Sequence, residues 1–378
     1  MLDKMEHAIN SIRSFFEGEG WPILVTIALV LSFLLWAFCL IGITLFYYRD
    51  FRYRSYQAKI YPVLRDFIYE HILIENRVSH FPIDRLALDL DKVIIQKVVR
   101  HILHEFIFTI GGEKGKSMRN LFNELGFDKE AQYEIRHAGN HVVATIRSLS
   151  DLALMEVEIQ EEVLTQLMNS SRTEIRVSAF KYLLQVRGEQ SFDIVLPRIE
   201  GINELDALDI YQAIVSTDYV GTYEFSKWLD ATKTFAVNSL IMDLMVYYQQ
   251  LDEEKLWQLI VSDENSQISL KAINALGKLL ARDSEVRLVD FYSAKRPLHV
   301  KIEIIKALGR LGQGKSIDLL ENIFKDESSV LALRKHAYRS LVAQKPYSIA
   351  RLRKIEDEVD DHDYKLIRYV NHPMVHYI

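Results

Sequence analysis

The chain has 378 residues and carries 46 Lys and Arg against 52 Asp and Glu, a net charge of −6. A mildly acidic chain offers no broad basic field, which argues against nucleic acid as a partner. The single cysteine, Cys39, excludes an intrachain disulfide framework and a cysteine metal site, and fits a reducing compartment.

Residues 1–20 read as a short tail in which Leu2, Met5, Ile9, Ile12 and Phe16 recur near helical spacing. Trp21 to Tyr48 then contains no Asp, Glu, Lys, Arg or His. A helix rises ~1.5 Å per residue, so about 20 residues cross a hydrocarbon core and this run has turns to spare. Between Ile23 and Phe46, sixteen residues are Leu, Ile, Val or Phe. Together they favour insertion by about 5–10 kcal/mol. A cleaved signal peptide fits poorly: the preceding segment is not basic, the run is too long, and bulky Leu45, Phe46, Tyr47 and Tyr48 stand where small residues would precede cleavage. Trp21 at one end and Tyr47 and Tyr48 at the other suit the two interfaces. Arg49, Arg52, Arg54 and Lys59 follow against Asp50 alone, whereas Lys4 and Arg13 precede against Asp3, Glu6, Glu17 and Glu19. The positive-inside rule then puts the N-terminus outside and residues 49–378 in the cytoplasm of a plasma-membrane protein. Arg49, Arg52 and Arg54 would also meet anionic headgroups.

Residues 49–114 read as a juxtamembrane helical segment. Pro62 predicts a break or bend in the first helix, and Ile83 to about Ile110 predicts one long helix, apolar around most of its circumference. The segment GGEKGKS, residues 111–117, predicts a turn.

Residues 115–378 repeat themselves. INALGKLL (273–280) matches IKALGRLG (305–312) at an offset of 32, Leu341 continues the register, and IRVSAFKYLLQV (175–186) matches VKIEIIKALGRL (300–311). A second motif precedes the first: LTQLMNSS (164–171), LWQLIVSDE (256–264) and LENIFKDES (320–328). Segments 141–152, 204–215 and 234–245 match less well. Each unit is a helix, a polar turn and a second helix rich in Ala and Leu, and it buries its apolar face only by stacking on neighbours. Ala272, Ala275, Gly277, Ala307 and Gly309 predict close helix approach. On the residues of 269–280 and 300–328 the chain resembles the HEAT-repeat family, in its short bacterial form related to phycobilin-lyase-type repeats. The resemblance implies an α-solenoid whose concave face or edge binds protein partners, without catalysis. The expected fold is all-α: one transmembrane helix (21–48), then an α-solenoid of HEAT-like helix pairs.

Candidate chemistry is thin. GKS at 115–117 lacks the phosphate-loop glycine at position 110, which is Ile110. His137 and His141 would share one helix face at zinc-binding spacing, and His101 and His104 lie three apart, but neither pair has a third ligand. The acidic run 356–364 lacks the spacing of a calcium loop and reads as a solvated turn. No catalytic, cofactor or metal residue is assigned, and no cofactor is expected. Tyr211, Tyr219, Tyr223, Phe225, Trp228, Tyr247, Tyr248 and Trp257 are mostly core, with some as anchors of a partner groove. The reading is a single-pass, membrane-anchored cytoplasmic scaffold for a protein partner that is itself membrane-associated, in contact with lipid through residues 21–48. The alternatives are an accessory subunit of a membrane machine such as a cell-surface polysaccharide synthase, and a membrane-tethered enzyme or ligand sensor.

Overall fold

The computed structural model of the chain describes residues 20–110, 112–137, 141–217, 223–262, 267–293 and 296–372, with side chains from Val25 on and without that of His362. The tail pattern from Leu2 to Phe16, the residues Gly111 and Tyr219, and the Trp21 side chain lie outside the described residues. All regular structure among the described residues is helical, and the chain divides into two compact units, Met1–Lys129 and Glu130–Ile378.

In the first unit, α1 runs from Gly20 to Ile68. Its apolar window is long enough to cross a membrane, and none of it is buried by the rest of the chain. Phe38 is 74% exposed. The helix continues unbroken through Arg49, Arg52, Arg54 and Pro62. Of the expected break or bend at Pro62, the break is absent: Ala58, whose carbonyl loses its donor, lies on the exposed side where water can replace it. Past the span, Ile60, Leu64, Phe67 and Ile68 make an i, i+4, i+7, i+8 stripe that is buried, and a π-helical turn at Tyr69–Ile74 ends the run. The expected helix from Ile83 to Ile110 is shorter. A 3-10 turn at Ile83–Leu86 gives way to Ala87 at φ 45°, and α2 spans Val93–Thr109. Asp89 pairs with Lys92 at 2.8 Å in the intervening turn. Burial of α2 is one-sided: Val98, Val99, Ile102 and Leu103 are inside, while Val93 and Phe108 are exposed.

The expected turn at 111–117 is mostly helix, since α3 spans Gly112–Glu124. Lys114 Nζ donates to the carbonyls of Ile72 (2.6 Å) and Leu73 (3.3 Å), satisfying acceptors at the end of the π-helical turn. The Glu124 carboxylate accepts from the backbone amides of His80 (2.6 Å) and Phe81 (2.7 Å). Next, α4 spans Phe127–Arg136, and Phe127 packs on Phe122 with Arg100 over its ring.

The second unit is the repeat array. Helix α5 covers Val142–Leu154, α6 Glu161–Met168 and α7 Thr173–Arg187. After the four-residue α8 (Phe192–Val195) come α9 (Glu204–Val215), α10 (Phe235–Tyr247), α11 (Glu253–Ser262) and α12 (Gln267–Lys278). Then follow α13 (Ser284–Phe291), α14 (Leu298–Leu311), α15 (Ile317–Lys325), α16 (Leu331–Ala343), α17 (Lys345–Glu358) and α18 (Asp361–Val370). The second helix of each pair packs beside the next, so α5, α7, α9, α10, α12, α14, α16 and α18 form one row. The weakly matching segments 141–152, 204–215 and 234–245 all fall in this row. Their partners explain the poor match: before α9 the first helix is broken by 3-10 turns around α8, and before α10 it is only the 3-10 turn Phe225–Trp228.

Two features recur at the repeat period. Ser284 donates to Glu253 (2.6 Å), and 32 residues later Ser316 donates to Glu285 (2.7 Å), joining successive first helices. Gln344 continues the network from Ser316 Oγ (2.8 Å) to the Leu308 carbonyl (2.9 Å). The second feature is close approach. A Cβ on Gly277 would lie 3.0 Å from Ala307 Cα, and one on Gly309 would lie 2.8 Å from Ser340 Cβ and 2.6 Å from its Oγ. The helix caps follow the same register: Gly312 closes α14 at φ 63°, and Leu280 closes α12 at φ 53°, where a side chain is strained.

Gly309→Val should destabilise the second unit by about 1–3 kcal/mol through overpacking against Ser340, read as a lower thermal midpoint. Leu280→Gly should raise that midpoint, gaining about 1 kcal/mol by relieving the left-handed strain. An unchanged or lowered midpoint for Leu280→Gly would contradict the cap.

Candidate functional site

The outward side of the second-helix row is held in register by a ladder of charges. Lys181 on α7 pairs with Asp209 on α9 (3.1 Å), and Asp243 on α10 with Lys271 on α12 (2.6 Å). Asn274 on α12 donates to Glu303 on α14, which also meets Lys306 (3.4 Å) and Arg310 (4.0 Å). Each cross-helix rung joins residues 28 or 29 apart, one repeat. Exposed pairs of this kind contribute only ~0.2–1 kcal/mol each, so they fix alignment more than stability.

Two grooves open on this face. The first, about 610 Å³, lies between α9 and α10 and is lined by Leu205, Leu208, Tyr211, Phe235 and Tyr247, with Asp243 and Lys278 at its rim. Leu205 is 76% exposed and Leu208 51%. The Tyr211 and Tyr247 rings meet edge-on at 6.1 Å, and burial followed by the Asp243 carboxylate pushes the Tyr211 phenol up. The second groove, about 660 Å³, lies over α14 and α16 and is lined by Lys306, Arg310, His336 and Arg339, with Val342 and Val370 beside them. Burial, and then Lys335, Lys306 and Arg339, hold the His336 imidazole down at about 4 against a partial offset from Glu303.

The aromatic expectation thus divides. Phe225 and Trp257 are buried, and Phe192, Tyr223, Phe225 and Tyr248 stack on one another at 5.0–5.6 Å. Trp228 donates to the Tyr223 hydroxyl (2.9 Å), which donates to Asp193 (2.7 Å). Among the described residues of this set, Tyr211 and Tyr247 line the first groove. The basic groove was not anticipated. Its signal is the spacing Lys306–Arg310, i, i+4, and His336–Arg339, i, i+3, on neighbouring second helices.

The other sequence candidates fall into structural roles. Arg52 lies over the Tyr48 ring at 5.9 Å, Arg54 pairs with Asp50 at 2.8 Å, and Tyr47 meets Phe46 edge-on, so the flank of the apolar run is internally arranged along α1. Arg49 lies exposed beside them. Gly115 and Ser117 are buried within α3, so their amides belong to helix bonds and cannot cradle phosphate. His137 and His141 do not share a helix face: His137 follows α4 and donates from Nδ1 to the Tyr133 carbonyl (2.9 Å), while His141 precedes α5. His101 is exposed beside Glu105 (3.3 Å), and burial followed by Arg100 and His101 lowers His104 to about 4. The acidic run is not a merely solvated turn, because Asp363 pairs with the buried Arg334 and Glu356 accepts from the Tyr338 hydroxyl (3.0 Å). Burial is the main reason the Tyr338 phenol rises to about 12. One acidic cluster escaped the sequence: Glu70, His71 and Glu75 have ligand atoms within 4.8 Å of one another. Glu75 already accepts from His71 (2.8 Å) and Arg77 (2.6 Å), which makes it a lock on the end of α1.

The two depressed histidines set a pH dependence. The unfolded chain takes up their protons near 6.5, whereas the folded chain resists until about 4. Stability is therefore full above 6.5 and falls as pH drops through that window. Thermal melts of His336→Gln between pH 7 and 4.5 should show a shallower decline than the parent, and an identical decline would contradict the burial of a neutral imidazole.

With this geometry in view, the comparisons are concordant. No curated protein matches the chain. Residues 253–342, which span α11 to α16, match the family model of HEAT repeats, at the stretch where the period of the array is most regular.

Proposed function

We propose that the chain is a membrane-anchored scaffold that holds a protein partner on its second-helix face. The observation that carries this reading is the pair of grooves on one continuous row, an apolar one rimmed by charge and a basic one, on a surface whose other charges are largely satisfied in the inter-helix ladder. Partly exposed Tyr and Leu around a groove are the composition of an interface anchor. The HEAT-repeat match at 253–342 supports an extended binding surface of this kind.

The anchor is α1. Its exposed apolar window from Val25 on calls for hydrocarbon as solvent, with Trp21, Tyr47 and Tyr48 at the interfaces and Arg49, Arg52 and Arg54 at the cytoplasmic headgroups. The N-terminus is then outside and residues 49–378 are cytoplasmic in the plasma membrane. The domain reading follows: tail 1–20, span 21–48, juxtamembrane helices 49–114 and repeat array 115–378. A narrower version, an accessory subunit of a membrane machine such as a polysaccharide synthase, is favoured by one observation. Helix α1 passes through the basic flank without interruption to Ile68, so the juxtamembrane helices stand at a fixed height above the bilayer, as a membrane-embedded partner requires.

Photocrosslinkers placed at Leu208 or Tyr247 in native membranes should give a discrete protein adduct, and placed at Asp290 or Glu327 on the first-helix side they should not. Equal adducts from both sides would remove the second-helix face as the binding surface.

A further inference from the structure

The basic groove over α14 and α16 has the chemistry of a specific ligand site. Its floor is low because Gly309 carries no side chain and sits against Ser340. Its walls bring Lys306 and Arg310 from α14 toward His336 and Arg339 from α16. Two of its polar atoms are buried without a hydrogen-bond partner, Arg310 Nη1 and His336 Nδ1. Arg310 comes only to 4.0 Å from Glu303, whose carboxylate is shared with Asn274 and Lys306. Buried nitrogens left in this state are desolvated without compensation until a hydrogen-bonding partner arrives. Burial first, and then Lys335, Lys306 and Arg339, hold the His336 imidazole in its neutral form.

We propose that this groove binds an acidic, carboxylate-rich segment of the protein partner. The proposal rests on the scaffold reading and names the chemistry of what it holds. Charge complementarity selects an anion. Size and distribution select a segment: about 660 Å³ is too large for one oxyanion, and the cations are spread over two helices. Val342, Ala343 and Val370 line the same groove and suit the aliphatic stems of a peptide, while no aromatic ring among the described lining residues offers a stacking platform for a nucleobase. The net charge of −6 also sets the rest of the chain against a long polyanion such as nucleic acid.

The test uses the full chain in detergent and a fluorescent ten-residue glutamate peptide, read by anisotropy. Binding should weaken at least tenfold when salt rises from about 0.05 to 0.5 M, where the screening length falls from ~14 to ~4 Å. Lys306→Glu/Arg339→Glu should weaken it at least tenfold. The neutral pair Lys306→Gln/Arg339→Gln, checked for an unchanged thermal midpoint, should weaken it severalfold. Lys181→Glu, at the far end of the row, should leave it unchanged. The proposal is overturned if the groove variants bind as the parent does, if inorganic phosphate displaces the peptide at equal concentration, or if phosphatidylserine vesicles and not the peptide occupy the groove. Adducts retained at Tyr247 with no peptide binding would remove the acidic-segment proposal alone. Peptide binding retained with equal adducts from both faces would remove the scaffold reading alone.

Discussion

Helices can share a layer only if their backbones meet within about 8–10 Å, and the side chains at the crossing decide whether they do. In this chain the crossings are set by Gly277 against Ala307 and Gly309 against Ser340. Adding even one carbon at Gly309 would put it inside the contact distance of Ser340. Close approach at these points lets Ile273, Leu276, Ile305, Leu308 and Leu341 interdigitate in a continuous core. It also dictates which side of each second helix is left over. Residues away from the crossing, Lys271, Asn274 and Lys306 among them, are left on the outward side. The outward surface is therefore a by-product of the packing rule, repeated every ~32 residues.

The first helices obey a different constraint. Ser284 and Ser316, at the starts of α13 and α15, are buried, and buried polar groups need partners. The recurring solution is a serine at the start of one first helix bonded to a glutamate on the preceding one, Ser284 to Glu253 and Ser316 to Glu285. Glu285 is fully buried, and Gln344 extends the network from Ser316 to the Leu308 carbonyl, so three successive repeats are linked by polar bonds of defined direction. Apolar burial tolerates sliding by a fraction of a turn, whereas a buried carboxylate does not. The glycine contacts supply proximity and the serine–glutamate bonds supply register.

Much of this was readable from the residues because repetition amplifies weak signals. One Ala-Leu-Gly triplet means little, but INALGKLL and IKALGRLG at an offset of 32 imply a shared environment, and both lie at equivalent places in α12 and α14. Where the first helix degenerates, around α8 and at Phe225–Trp228, the pattern faded because the local structure is itself irregular. Errors arose where local and tertiary preferences diverge. Pro62 was tolerated because it faces outward, and EKGKS became helix because Lys114 found carbonyls at Ile72 and Leu73, more than forty residues away. The basic groove was missed for a related reason: Lys306 and Arg339 are unremarkable on their own helices and become neighbours only through the stacking.

The exposed apolar window of α1 and the Leu205–Tyr247 groove obey one rule at two scales. Apolar surface that the chain does not cover must be covered by something else, and the amount decides by what. The groove exposes a few side chains, which a protein in water sustains until a partner arrives. The window exposes large apolar side chains at nearly every turn from Val25 to Phe46, with an insertion preference of about 5–10 kcal/mol, and no transient contact covers that. A permanent solvent of hydrocarbon is the matching environment. In the proposed membrane setting, α1 makes a permanent apolar contact and the groove a conditional one, and Arg49, Arg52 and Arg54 would attract anionic headgroups by ~1 kcal/mol per cation. Arg54 is paired with Asp50 and would add least to that attraction.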